Sequence, residues 1–114
     1  MLSKSYRMKK NSQFDYIFKN GKSLKQNKLL LFYSKTKSNK PKIGVVVSKK
    51  IGNSVTRNKI KRLIRESIRL NLAKLNTSYN YILVARQGIE ILSYHEINND
   101  FLKLLEKSEL CLKN

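Results

Sequence analysis

The sequence predicts an α/β (α+β) sandwich, a small central sheet with helices packed on it, in the order α-β-β-α-β-α. Ile60, Leu63, Ile64, Ile68 and Leu72 recur at spacings of three and four, the apolar stripe of a helix. Short runs of branched and aromatic residues, led by Val45–Val46–Val47, have the length and composition of strands. A hydrophobic fraction of 40% with only 4 Gly and 1 Pro in 114 residues supplies a core for one domain over 1–114 and argues against a disordered basic tail.

The elements follow in order. Asn11 or Ser12 is placed to cap a first helix that runs to Asn20 and stops at Gly21, with Phe14, Ile17 and Phe18 on one face. Leu29–Ser34 reads as a strand, with room for a further short strand near Leu24. Lys35–Pro41 is a polar turn. Lys42–Ser48 is the next strand, whose three valines predict burial on both faces. Lys49–Ser54, containing Gly52 and Asn53, is a loop. Ser54 or Thr56 caps the second helix, which fades near Leu75. Asn76–Asn80 is a turn and Tyr81–Ala85 a buried strand. Ser93–Tyr94–His95–Glu96 has capping-box spacing, and Ile97, Phe101, Leu104 and Leu105 continue at helical period. Glu96 and Asp100, four apart, share an exposed polar face.

The formal net charge is +18, and it is unevenly placed. Residues 1–70 hold 20 Lys and Arg against Asp15 and Glu66, whereas residues 71–114 hold five of each sign. Repulsion of this size disfavours a small compact chain unless a polyanion normally neutralises it. Within the second helix Arg57, Lys61, Arg65 and Arg69 are each four apart, a cation row on a scaffold that can track a phosphate backbone. Nucleic acid is therefore the expected partner. A membrane surface is disfavoured: the chain has no Trp, the basic helix needs its apolar face for the core, and no apolar run reaches the ~18 residues of a span. Met1–Lys10 is basic with no apolar segment after it, so it does not read as a secretory signal. Cys111, the one cysteine, reads as a reduced surface or helix-packing residue of a cytoplasmic protein.

Catalysis by the chain itself is not expected. His95 is the only histidine and lies inside a helix-start signature. Metal-dependent nucleases need several converging carboxylates, and only seven acids exist here, five of them after residue 89. Gly44 and Gly52 fit neither a phosphate loop nor a dinucleotide fingerprint.

Ser48–Lys49–Lys50–Ile51–Gly52–Asn53–Ser54–Val55 leads into Arg57–Asn58–Lys59 and then Ile60–Lys61–Arg62–Leu63–Ile64–Arg65–Glu66. This resembles the signature of the bacterial ribonuclease P protein, an Arg-Asn-Arg segment followed by apolar-Lys-Arg-x-apolar-Arg-Glu. Gly44–Val45–Val46–Val47, Met8–Lys9–Lys10–Asn11–Ser12–Gln13–Phe14, Phe18, Gly21 and Tyr81–Ile82–Leu83–Val84–Ala85–Arg86 match the family as well, so the resemblance spans nearly the whole chain. It implies a protein subunit of a ribonucleoprotein endonuclease whose RNA subunit cleaves the 5′ leader from precursor tRNA. The implied contacts to the catalytic RNA are Lys49, Lys50, Arg57, Asn58, Lys59 and Arg62. The implied leader-binding cleft comprises Phe14, Phe18 and Phe32, flanked by Lys61 and Arg65. The resemblance further implies a left-handed β-α-β crossover, a monomeric protein in a 1:1 complex with the RNA, and Mg2+ required by the ribonucleoprotein without a tight protein-only site. Two positions depart from the family pattern. Phe32 stands where Tyr is frequent and lacks its hydroxyl, and Lys59 replaces the second Arg, keeping charge without bidentate geometry.

Two other functions compete. A basic ribosomal-type RNA-binding protein would share the charge but have no part in tRNA processing. A helix-turn-helix DNA binder requires a short helix and tight turn before the basic helix, where this chain has a valine-rich strand.

Overall fold

The computed structural model describes residue 2 and residues 4–38 and 40–108, so the expectation for Cys111 lies outside the described residues. The elements are α1 (Asn11–Asn20), β1 (Lys22–Gln26), β2 (Leu29–Lys35), β3 (Ile43–Val47), α2 (Ser54–Leu70), β4 (Tyr79–Ala85) and α3 (Tyr94–Ser108), joined in places by short 3-10 turns. The strands form one sheet in the order β1-β2-β4-β3. β1 and β2, and β2 and β4, are antiparallel; β3 and β4 are parallel, and α2 is the crossover between them. The amino-terminal segment continues the β3 edge: Arg7 bridges Ile43, and the Met8 N–H donates to the Ile43 carbonyl at 2.9 Å.

Strand alternation divides the sheet into two faces. Leu29, Leu31, Ile43, Val47, Tyr81, Leu83 and Ala85 point to one side and form the main core with Ile60, Ile64 and Ile68 of α2 and Ile97, Phe101, Leu104 and Leu105 of α3. On the other side Ile82 is buried with Ile17 of α1 and Met8, ringed by half-buried Phe14, Phe32, Val46 and Val84. The helices thus cover both faces, α2 and α3 fully on one and α1 partly on the other.

Several local features differ from the sequence reading. The strand near Leu24 is a full hairpin arm, and the two-residue turn after it holds Asn27 at φ 54°, a left-handed conformation that Asn tolerates. Neither Asn11 nor Ser12 caps α1; Lys10 stands at the cap and supplies no side-chain acceptor. Neither Ser54 nor Thr56 caps α2; the Asn53 side chain accepts the Thr56 N–H at 2.9 Å. α2 ends at Leu70, and Leu72–Lys74 is a separate 3-10 turn. β3 is an edge strand, so Val45 and Val46 are only half-buried while Val47 is buried. β4 begins at Tyr79, two residues before the expected start.

Asp100 does not lie on an exposed face. It is buried and accepts a hydrogen bond from Asn27 Nδ2 at 3.1 Å, which ties α3 to the hairpin tip. The capping box is present, with Ser93 N–H donating to Glu96 Oε1 and Glu96 N–H to Ser93 Oγ, both at 3.2 Å. The Tyr81 hydroxyl donates to the Asn76 carbonyl at 2.6 Å, and burial pushes its pKa upward.

Gly21 serves a close approach: a Cβ there would stand 2.6 Å from the Ile17 carbonyl oxygen and 2.8 Å from that of Tyr33. α1 can therefore turn directly into the hairpin against β2. Among the described residues no helix is long and apolar enough to cross a membrane.

The packing gives graded expectations. Ile64→Ala removes a fully buried side chain shared by α2 and the sheet and lowers unfolding free energy by about 2–5 kcal/mol. Asn53→Ala removes only the cap and costs about 1 kcal/mol. Urea denaturation with an unchanged slope checks both, and a cap variant as damaging as the core variant would contradict the assignment.

Candidate nucleic-acid interface

α1 is a short amphipathic helix whose Ile17 is pinned against Ile82. One flank then carries Phe14 and Phe18 over the sheet. The Phe14 and Phe18 ring centroids are 6.5 Å apart, and Phe18 meets Phe32 of β2 edge-on at 4.9 Å. Phe14 lies directly over Gly44 of β3, where a Cβ would stand 2.5 Å from its ring. The three phenylalanines form a continuous row, with Phe18 42% exposed. Beside it the sheet offers half-buried Val46 and Val84. Tyr33 turns to the opposite face and packs on Tyr79 at 6.0 Å.

The cations of α2 sort by helical position. Arg57, Lys61 and Arg65 form a half-buried stripe, whereas Asn58, Lys59 and Arg62 are exposed on the outer surface. Lys49 and Lys50 are exposed on the 3-10 turn that precedes α2, where a plain loop was expected. Arg57 is fixed, because its Nε donates to the Gly52 carbonyl at 3.2 Å. Arg69, the fourth member of the expected row, is paired with Glu66 and drops out as a free cation. The same pairing pulls the Glu66 carboxyl below its usual range.

The aromatic row and the half-buried stripe belong to the same part of the fold. Phe14 covers Gly44, the neighbouring Ile43 is bridged to Arg7, and Arg65 lies within electrostatic reach of Arg7. Burial and then the Arg7 charge lower the Arg65 pKa. Among the described residues the Nε of Arg7 is buried without a hydrogen-bond partner. Nearby, Lys4, Arg7, Lys9, Lys10 and Lys42 line a concavity of about 450 Å3. Its cations were not among the sequence-predicted site residues, since Lys4–Lys10 reads as a solvated basic end. The alternation of Arg7 with buried Met8 was the available signal for an ordered extended segment.

A sheet with a half-covered aromatic face and cations on the adjoining edge and crossover helix defines a small RNA-binding protein of mixed α/β class. The Ribonuclease P family model matches residues 2–109. The ribonuclease P protein component of Clostridium kluyveri is 45% identical over 107 residues, covering 92% of this chain and 96% of that protein. That of Natranaerobius thermophilus is 41% identical over 113 residues, covering 99% and 98%. Among solved structures, the RNase P protein of Staphylococcus aureus matches with a TM-score of 0.86 at 33% identity, over 94% of this chain and 98% of that one. The chain belongs to the ribonuclease P protein family, and its role is that of the protein subunit of this endoribonuclease in tRNA processing. A ribosomal-type role outside tRNA processing is not favoured.

The contact between Gly44 and Phe14 can be tested directly. Gly44→Ala forces the Phe14 ring from its seat, but Phe14 is a half-buried side chain that can yield. The stability loss is therefore about 1 kcal/mol, at the low end for overpacking. Chemical denaturation measures this, and the aromatic NMR signals of Phe14 and Phe18 shift while those of Tyr81 do not.

Proposed function

We propose that the Phe14–Phe18–Phe32 row receives the 5′ leader of precursor tRNA, while the start of α2, its exposed side and its preceding turn hold the catalytic RNA, which performs the cleavage. The observation that carries this reading is the joining of the three rings into one half-open row on the sheet. A single-stranded leader presents base faces that stack on such rings, at about 1–3 kcal/mol per base. Lys61 and Arg65 supply phosphate contacts along its path. Lys49, Lys50, Arg57, Asn58, Lys59 and Arg62 address the RNA subunit. Half-buried side chains lose less rotamer freedom on binding than exposed ones, which suits Lys61 and Arg65 to a defined strand path.

One protein binds one RNA in this reading, and work on precursor tRNA places it in the cytoplasm. The ribonucleoprotein requires Mg2+. Among the described residues no group of three or more His, Cys, Asp and Glu is placed to hold a metal ion. In this reading the metal belongs to the ribonucleoprotein, and the residues of this chain bind and orient RNA.

Reconstitution with the RNA subunit at low magnesium tests the assignment, comparing precursor tRNA with and without a leader of several nucleotides. Phe18→Ala weakens binding of leader-bearing substrate about fivefold or more and leaves the leaderless one unchanged. Arg62→Ala weakens assembly with the RNA and affects both substrates alike. Equal affinities for the two substrates with unaltered protein would overturn the leader site. Cleavage by purified protein free of RNA would overturn the division of labour.

A further inference from the structure

α1 has a second flank. Turning away from the phenylalanine row, it presents Gln13, Tyr16 and Asn20, and between these and the ends of β2 and β4 the surface sinks into two adjoining concavities. They measure about 170 Å3 and 220 Å3 and share Ser34 and Lys35. The first is closed by Tyr16 and Asn80, the second by Asn20, Lys22 and Tyr79. Tyr16 is 58% exposed, unusually open for an aromatic ring on a helix that packs on a sheet. Among the described residues no carboxylate lines either concavity, and both Lys22 and Lys35 are exposed.

The polar groups are partly committed, and this shapes what the groove can bind. Asn80 Oδ1 accepts the Lys42 N–H at 2.9 Å, which fixes the amide and leaves its NH2 as donor. Asn20 Nδ2 donates to the Tyr16 carbonyl at 3.2 Å, which leaves its carbonyl oxygen as acceptor. At the floor the Gly21 N–H donates to the Ile17 carbonyl at 2.8 Å, and a Cβ there would stand 2.8 Å from the Tyr33 carbonyl oxygen. An open ring, an oriented donor and acceptor, and two cations without acidic neighbours match one chemistry: a nucleotide whose base stacks while its phosphates meet ammonium groups.

We propose that this flank is a second single-stranded RNA subsite, separate from the phenylalanine row, with Tyr16 as the stacking residue and Lys22 and Lys35 as phosphate contacts. α1 then has an RNA-binding surface on both sides, with Ile17 as the keel between them. This goes beyond the leader assignment and does not depend on it.

The test uses the full chain and a short unstructured oligoribonucleotide, with affinity measured by fluorescence anisotropy over a salt series. Tyr16→Ala weakens binding about fivefold or more at physiological salt, whereas Tyr16→Phe, which keeps the ring, stays within about twofold. Lys35→Ala lowers the salt slope by about 0.7, the loss of one single-strand phosphate contact. Because Tyr16 is exposed, thermal melting confirms that each variant is folded. Two arms separate the possible sources of the strand. In the reconstituted holoenzyme, a Tyr16→Ala effect that grows with leader length identifies the substrate's leader, and one independent of leader identifies a single-stranded part of the RNA subunit. Unchanged oligonucleotide affinity in folded Tyr16→Ala overturns the proposal, including the case where the groove docks a protein. Failure of the leader assignment shows instead in Phe18→Ala, so the two are distinguishable.

Discussion

The parallel pairing of β3 with β4 governs the placement of nearly everything else. Parallel neighbours cannot be joined by a tight hairpin, so the chain must leave β3 at Val47, cross one sheet face and return at Tyr79. α2 is that crossing, and it must bury Ile60, Ile64 and Ile68 to stay on the sheet. Each such side chain contributes about 1.5–3 kcal/mol by leaving water. The cations interleaved with these isoleucines are therefore carried at fixed positions, and the helix cannot fray without opening the core.

That scaffold must also withstand its own charge. The first 70 residues hold 20 cations and two acids. One of those acids, Glu66, is spent on Arg69. Arg65 feels the charge of Arg7, and among the described residues Arg7 Nε is buried without a hydrogen-bond partner. These are costs to folding that a polyanion along this edge offsets, because a phosphate takes the place of a missing counter-charge. The strained electrostatics and the binding surface are thus one feature. The amino-terminal segment is held against β3 by the Arg7–Ile43 bridge and the Met8 N–H bond to the Ile43 carbonyl, which keeps its lysines at the same edge.

The parts legible in the sequence were those set by short-range periodicity. The apolar stripe of α2 as far as Ile68, that of α3, the position of the valine strand and the Ser93–Glu96 capping box appear where the spacing put them. What escaped depended on contacts between distant residues or on backbone angles. Lys22–Gln26 has one apolar residue, Leu24, so its strand character comes from pairing with β2 and not from composition. Asp100 looked like a solvent-facing acid because its partner, Asn27, lies 73 positions away. The caps were missed by a residue or more because Asn53, Ser54 and Thr56 are all competent, and only the extended backbone of Asn53 decides among them. For the site, Phe14 and Phe18 four apart look like core. Only the register, which sets Phe32 beside Ile82 under α1, shows that they form a surface row with it.

The division of α2 into two cation faces carries a consequence for selectivity. Lys59 and Arg62 are exposed, so holding them on phosphates costs rotamer freedom that rigid groups do not lose. They are adaptable contacts, and Lys59 is more so than the Arg that family members place there, since an ammonium has no preferred plane. Arg57, tied to the Gly52 carbonyl, keeps its terminal nitrogens aimed from a fixed base. Arg65 is held by burial on the same stripe. Anchoring to a large structured RNA tolerates the first kind of contact because many phosphates share the load. Positioning a short single strand does not, because a shift of one nucleotide changes which base meets which ring. On the proposed reading, Lys61 and Arg65 of the half-buried stripe do that positioning, and the flexible cations lie on the open side. The apolar pattern enforces that sorting, since the residues next to the buried isoleucines are the ones whose stems are held.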